Sequence, residues 1–220
     1  MRPAILVSQP PDVRARLKQL CLDEAVLLQV AHRVLSARNS ATENHPRNAA
    51  GLFGFLEGVA AMRELLAPSP YKWHREDVNN LSLTVNKENS VAIIVATGDE
   101  GTGREDMEPC TNSKKGPNTK TAVESNLNQW RLFPDDIKKE DLLKATHGRT
   151  TWLFLVHYDE INERLHCELS QPVAMTENDH VSGWSVRIIL GPISPTMPGN
   201  RVSVDLEPSP EIDVKVKKRG

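Results

Sequence analysis

The sequence predicts an α+β fold: an N-terminal antiparallel helical hairpin packed on a mainly antiparallel sheet of about five to seven strands. Two observations carry this reading. Apolar residues recur near every 3.6 positions only within residues 12–67, and from residue 81 onward apolar, β-branched runs separated by turn residues take over. A third observation narrows it. Helical and strand patterns do not alternate regularly, which excludes a doubly wound nucleotide-binding sheet, and no repeat with a period of about 20–50 residues points to a solenoid or propeller. Residues 1–70 are expected to form a helical hairpin region and 71–220 a mainly β region, the two making one compact unit.

Pro10-Pro11-Asp12 closes an irregular leader and opens the first helix, whose stripe is Val13, Leu17, Leu20, Leu27, Leu28, Ala31, Val34 and Leu35. This reads as one long amphipathic helix. A polar connection over 36–48 leads to a second helix near Asn48, with stripe Leu52, Phe55, Leu56, Val59, Met62 and Leu66 and a stop at Pro68 and Pro70. Gly51, Gly54 and Gly58 each cost about 1 kcal/mol against Ala inside a helix. Close approach of the first helix is the expected compensation.

Leu81, Leu83 and Val85 alternate with polar residues, and the run from Val91 to Thr97 follows a turn, so the two form a β-hairpin. The first strand should expose one face; the second should be covered on both. Residues 98–120 have four Gly, two Pro and no periodicity, longer than the roughly 12–15 residues usual within a domain. Such a loop is expected to be mobile, to meet a partner and to be dispensable for stability. Short helices are expected over 121–130 and from Pro134 to before Gly148, then strands at 151–158, 164–170, 183–190, 201–206 and 212–216.

Composition limits function. With 27 Lys and Arg against 29 Asp and Glu, the formal net charge is −2, against bulk coating of nucleic acid. No apolar run approaches the ~20 residues that a membrane-crossing helix requires, and the leader is too short for the apolar region of a secretory signal. A soluble cytoplasmic protein is expected. Three widely spaced cysteines, Cys21, Cys110 and Cys167, make neither a disulfide framework nor a zinc pair, which fits a reducing compartment.

Gly98-Asp-Glu-Gly-Thr-Gly103 follows an apolar strand as a phosphate loop does, but Arg104-Glu105 stand where Lys and Ser or Thr belong. Its carboxylates and those after it are hard-metal ligands without calcium-loop spacing. A second constellation is His157, Asp159, His166 and Glu168. Period-2 geometry puts each two-apart pair on one face, and pairing across the turn brings the sets together. A His beside carboxylates fits a metal-dependent hydrolase, most plausibly a nuclease with Mg or Mn, although Ser170 stands where such a strand carries Lys. No complete nucleophile motif occurs.

A third group is Tyr71-Lys72-Trp73-His74-Arg75, where cations and aromatics interleave as in strand-binding surfaces. Lys215, Lys217, Lys218 and Arg219 form a basic tail that guards an edge strand or reaches phosphate. The reading this supports is a non-catalytic macromolecule-binding or accessory protein that engages a protein or nucleic-acid partner through the 98–120 loop or the hairpin. Its contact residues would be Lys72, Trp73, Arg75, Arg104, Lys114, Lys115 and Lys120. The metal-dependent hydrolase is the rival. Self-association through the first helix is compatible with either.

Overall fold

The structure is a computed structural model that describes residues 3–78, 81–131 and 149–194. Along the chain lie β1 (Ile5–Val7), α1 (Pro10–Gln19), α2 (Glu24–Asn39), α3 (Ala49–Leu66), β2 (Trp73–Val78), β3 (Leu81–Asn86), β4 (Val91–Thr97), α4 (Pro117–Arg131), β5 (Thr150–Asp159), β6 (Arg164–Pro172) and β7 (Trp184–Ile193). The expected helix after Pro134 and the strands at 201–206 and 212–216 lie outside the described residues.

The long first helix is two. The amide of Leu22 reaches back to Leu17 O and that of Cys21 to Lys18 O, with Cys21 at φ 57. These are the two bonds of a Schellman cap, here closed by a left-handed Cys instead of the usual Gly. Asp23 then caps α2, accepting from the Ala25 amide at 2.9 Å. The break turns Leu20 and Leu22 into the core beside Leu17 and Leu27.

The α2–α3 pair is antiparallel: Arg33 bonds Glu57 and Glu64, while Val34 and Arg38 lie against Gly54. The glycines explain the fit. A Cβ at Gly58 would sit 3.0 Å from both Val34 Cγ2 and Val95 Cγ1, so α3 is wedged between α2 and the sheet, and a side chain there would have to displace Val34 or Val95. The face that α3 buries is therefore Ala49, Gly54, Gly58, Ala61, Met62 and Leu66. This corrects the expected stripe, since Leu52, Phe55 and Leu56 remain 48%, 37% and 56% exposed.

The seven strands make one mixed sheet in the order β1-β7-β6-β5-β4-β3-β2. Two pairings are parallel, β1 with β7 and β4 with β5, so the mainly antiparallel expectation holds only in part. The parallel pair follows from topology, because α4 lies between β4 and β5 and returns the chain to the same end of the sheet. Edge strands β1 and β2 were not expected. The first is three residues long and the second charged, so neither produces a periodic apolar signal.

The helices do not all cover one face. Ile93, Val95, Phe154, Val156, Cys167, Leu169 and Ile188 face α1–α3, while Ala92, Ile94, Ala96, Leu153 and Leu155 join Val123 of α4 on the other side. Both faces are thus buried, and β3, expected to expose one, is buried along its last four residues. Asn126 fixes α4 in place. Its buried amide donates to Thr151 O (2.7 Å) and Pro172 O (2.9 Å), and its carbonyl oxygen accepts from the Thr151 amide (3.0 Å).

The wedge of α3 gives opposite expectations at two glycines. Gly58→Leu should destabilise by about 1–3 kcal/mol through overpacking, whereas Gly51→Ala, where an added Cβ meets nothing within 4 Å, should stabilise by up to about 1 kcal/mol. Urea unfolding of both variants reads the difference, and equal effects would contradict the packing.

Candidate functional site

Residues 98–112 are bonded to the core, which is at odds with the expectation of a loop dispensable for stability. They fold back over the second face of the sheet, bridging Gly98 to Thr111 and Cys110 to Ser182. The reason is a buried ion pair. Glu168 on β6 and Arg187 on β7 are 0% and 3% exposed, and Arg187 Nη2 donates to Glu168 Oε2 at 2.6 Å and Nε to Oε1 at 3.1 Å. Such a pair costs several kcal/mol to dehydrate unless its remaining hydrogen-bonding capacity is filled.

Here it is filled, and by the 98–112 segment. Arg187 also donates to the carbonyls of Met107 (2.7 Å), Arg104 (2.8 Å) and Gly101 (3.3 Å). Glu168 accepts from the Gly103 amide (2.7 Å) and from Ser170 Oγ (2.6 Å). Trp184 Nε1 adds a bond to Pro109 O at 2.9 Å. Glycine is needed at Gly101, where a Cβ would meet Glu108 O at 2.7 Å, and at Gly103, which has φ 70 and lies against His166.

These contacts consume the groups a phosphate loop would present. Asp99 Oδ1 takes the Gly101 and Cys110 amides, Glu168 takes that of Gly103, and the amides of Gly98, Asp99, Thr102 and Arg104 go to carbonyls. The Gly-rich turn is thus closed on itself by carboxylates.

The hydrolase constellation is brought together only in part. His157 faces His166 across β5 and β6, and Asp159 faces Arg164, so register puts all of the candidates on one face. Glu168 is withheld from the others by Arg187. Asp159 is held by its own turn, accepting from the Ile161 amide and from the backbone and side chain of Asn162; these bonds, first those from Asn162, hold its carboxyl below the usual range. Burial, followed by Arg104, pushes His166 down. His157 Nδ1 lies 3.2 Å from Gly98 O, so it must be the protonated nitrogen. Among the described residues, no three His, Cys, Asp or Glu side chains converge as metal ligands.

The partner-contact candidates separate. Trp73, the stacking candidate, is buried against the α1–α2 corner, with Nε1 donating to Cys21 O at 3.2 Å. Lys72 pairs with Glu88, and Arg75 is exposed on edge strand β2. Lys114 and Lys120 are exposed near and on α4. Arg104 and Lys115 line a cleft of about 1120 Å³ with Arg38, Thr97, Gly98, Val156 and His157, bounded by Leu52 and Phe55 of α3 and by Ile161.

This cleft lies at the carboxyl ends of parallel strands β4 and β5, where open sheets commonly receive ligands. Three of its residues escaped the sequence reading. Arg38 fell within the expected polar connection over 36–48 but lies 4.5 Å over the ring of Tyr158, and Leu52 and Phe55 were expected on the buried stripe. Of the thiols, Cys167 is fully buried and pushed up to about 12 by that burial, which leaves it a core side chain.

No protein-family model, curated protein or solved structure matches the chain. Its class is accordingly defined by its own geometry: an α+β protein with a mixed seven-stranded sheet among the described residues and a cleft at the parallel-strand ends. No helix among the described residues is long and apolar enough to cross a membrane.

Arg187→Met should cost about 3–5 kcal/mol, because it leaves the Glu168 carboxylate buried and unpaired. It should also open residues 98–112 to limited proteolysis. Glu168→Leu combined with Arg187→Met should recover part of the loss, and a single-variant loss below about 1 kcal/mol would contradict the clamp.

Proposed function

We propose that this chain is a non-catalytic binding protein of a reducing, cytoplasmic compartment, and that its recognition face is the cleft between the first turns of α3 and the 98–115 segment. The partner is a protein segment. The observation that carries the reading is the composition of the cleft. Arg38, Arg104 and Lys115 line it together with Glu100, Asp159 and Glu160, while Leu52 and Phe55, large apolar side chains left in water, form its edge. Leu56 extends that apolar strip along α3, and Ile161, at 93% exposure, also lines the cleft.

An apolar edge beside cations suits a peptide with apolar and acidic side chains better than it suits a nucleic acid. A nucleic-acid surface calls for stacking aromatics along a basic track, and Trp73 is buried while the net charge is −2. The metal-dependent hydrolase has less support, because Glu168 is committed to Arg187 and Asp159 to its own turn.

A photoreactive side chain at position 56 should cross-link a protein from homologous lysate in a defined band, whereas one at Arg75, on the far edge strand, should not. Labelled DNA and RNA, with magnesium or with chelator, should show neither retardation nor cleavage. Equal cross-linking from both positions would contradict the assignment, and magnesium-dependent cleavage lost in Asp159→Asn would replace it with the hydrolase.

A further inference from the structure

Of the three arginines at the clamp and the cleft, Arg187 is saturated with hydrogen bonds and Arg38 and Arg104 are not. Arg187 directs its N–H groups to a carboxylate and three carbonyls, with contacts as short as 2.6 Å. Among the described residues, the side chains of Arg38 and Arg104 each make one hydrogen bond, both at 3.3 Å: Arg38 to Glu160 and Arg104 to Asp159. Charge-assisted bonds are ordinarily about 2.7–2.9 Å, and a guanidinium has five donors. Both therefore retain donors, and both line the same cleft.

We propose that Arg38, Arg104 and Lys115 form an oxyanion site on the cleft wall, which receives a phosphate or carboxylate group carried by the partner segment. This rests on the reading of the cleft as the recognition face, and adds what that face recognises. The three residues come from different parts of the chain: the end of α2, the clamped segment, and the approach to α4. Each is held by an independent contact. Tyr158 supports the Arg38 plane, the Arg187 bond to the Arg104 carbonyl fixes the Arg104 backbone, and the Lys115 amide donates to Asp179 O at 2.8 Å.

The cleft's own carboxylates do not supply the missing anion. Both Asp159 oxygens are taken, Oδ1 by the amides of Ile161 and Asn162 and Oδ2 by Asn162 Nδ2 and Arg104. Glu160 is 81% exposed, so water competes for it, and Glu100 is exposed at the rim. Lys115 makes no ion pair among the described residues, and burial lowers its ammonium below the usual lysine range. A bound anion would raise it again. Gly51, in the first turn of α3, lines the cleft with open space where a side chain would stand, and that turn has no acidic residue. The helix's positive end thus adds to the same potential.

The test is a titration of the isotope-labelled full chain with inorganic phosphate, and separately with acetate, followed by the Nε–H signals of Arg38 and Arg104. Saturable shifts are expected in both. Arg104→Gln and Arg38→Gln should each weaken the response about tenfold, Glu160→Gln should strengthen it by freeing Arg38, and Lys18→Gln on α1 should leave it unchanged. Tighter phosphate than acetate assigns a phosphorylated segment; comparable affinities assign an acidic one. Absence of saturation, or the same affinity in Arg104→Gln with a native amide spectrum, would overturn the site. If position 56 still cross-links its partner then, the binding face stands without it.

Discussion

A carboxylate and a guanidinium taken out of water must find all of their hydrogen bonds inside the protein, and that requirement organises one whole face of this sheet. Glu168 and Arg187 meet diagonally across β6 and β7, with Ser170 directly opposite Arg187. Strand neighbours alone leave Arg187 with unfilled donors. The backbone carbonyls of Gly101, Arg104 and Met107 fill them, so the 98–112 segment is a structural part of the ion pair. Removing one member exposes the other to the dehydration cost, which is why the pair acts as a unit.

The cleft depends on this arrangement. Clamping the segment through the Arg104 carbonyl and the Gly103 amide leaves the Arg104 side chain beside Asp159 and turns Gly98 O toward His157. The opposite wall is set by a different constraint, the close approach of Gly54 and Gly58 to Val34 and Val95. Burying the glycine face of α3 turns Leu52, Phe55 and Leu56 outward. One wall therefore presents Arg104 because an ion pair holds its backbone, and the other is apolar because a helix packs through its smallest residues.

What the sequence made legible was what period alone encodes. The strands β3 to β7 and the helical content of residues 10–66 followed from alternation, β-branched runs and 3.6-residue stripes, and the glycines of α3 signalled close packing. The break between α1 and α2 was hidden because Cys21, not Gly, takes the left-handed position. The outward turn of Leu52 and Phe55 was hidden because the stripe of large residues and the glycine face have the same helical period. Glu168 was visible as a chemical group, but its partner was not. Arg187 sits in an apolar run, and only the β6–β7 register, with Glu168 opposite Ile189 and Ser170 opposite Arg187, brings the charges together.

Amide hydrogen exchange at Gly103 in the unmodified protein tests the central claim most directly. That amide donates to a carboxylate buried in the sheet, so it should exchange only with the amides of β6 and β7, through the same global opening. Exchange of Gly103 at the rate of exposed turn residues such as Glu177, while β6 and β7 stay protected, would show that the sheet holds its ion pair without the 98–112 segment and would contradict the account.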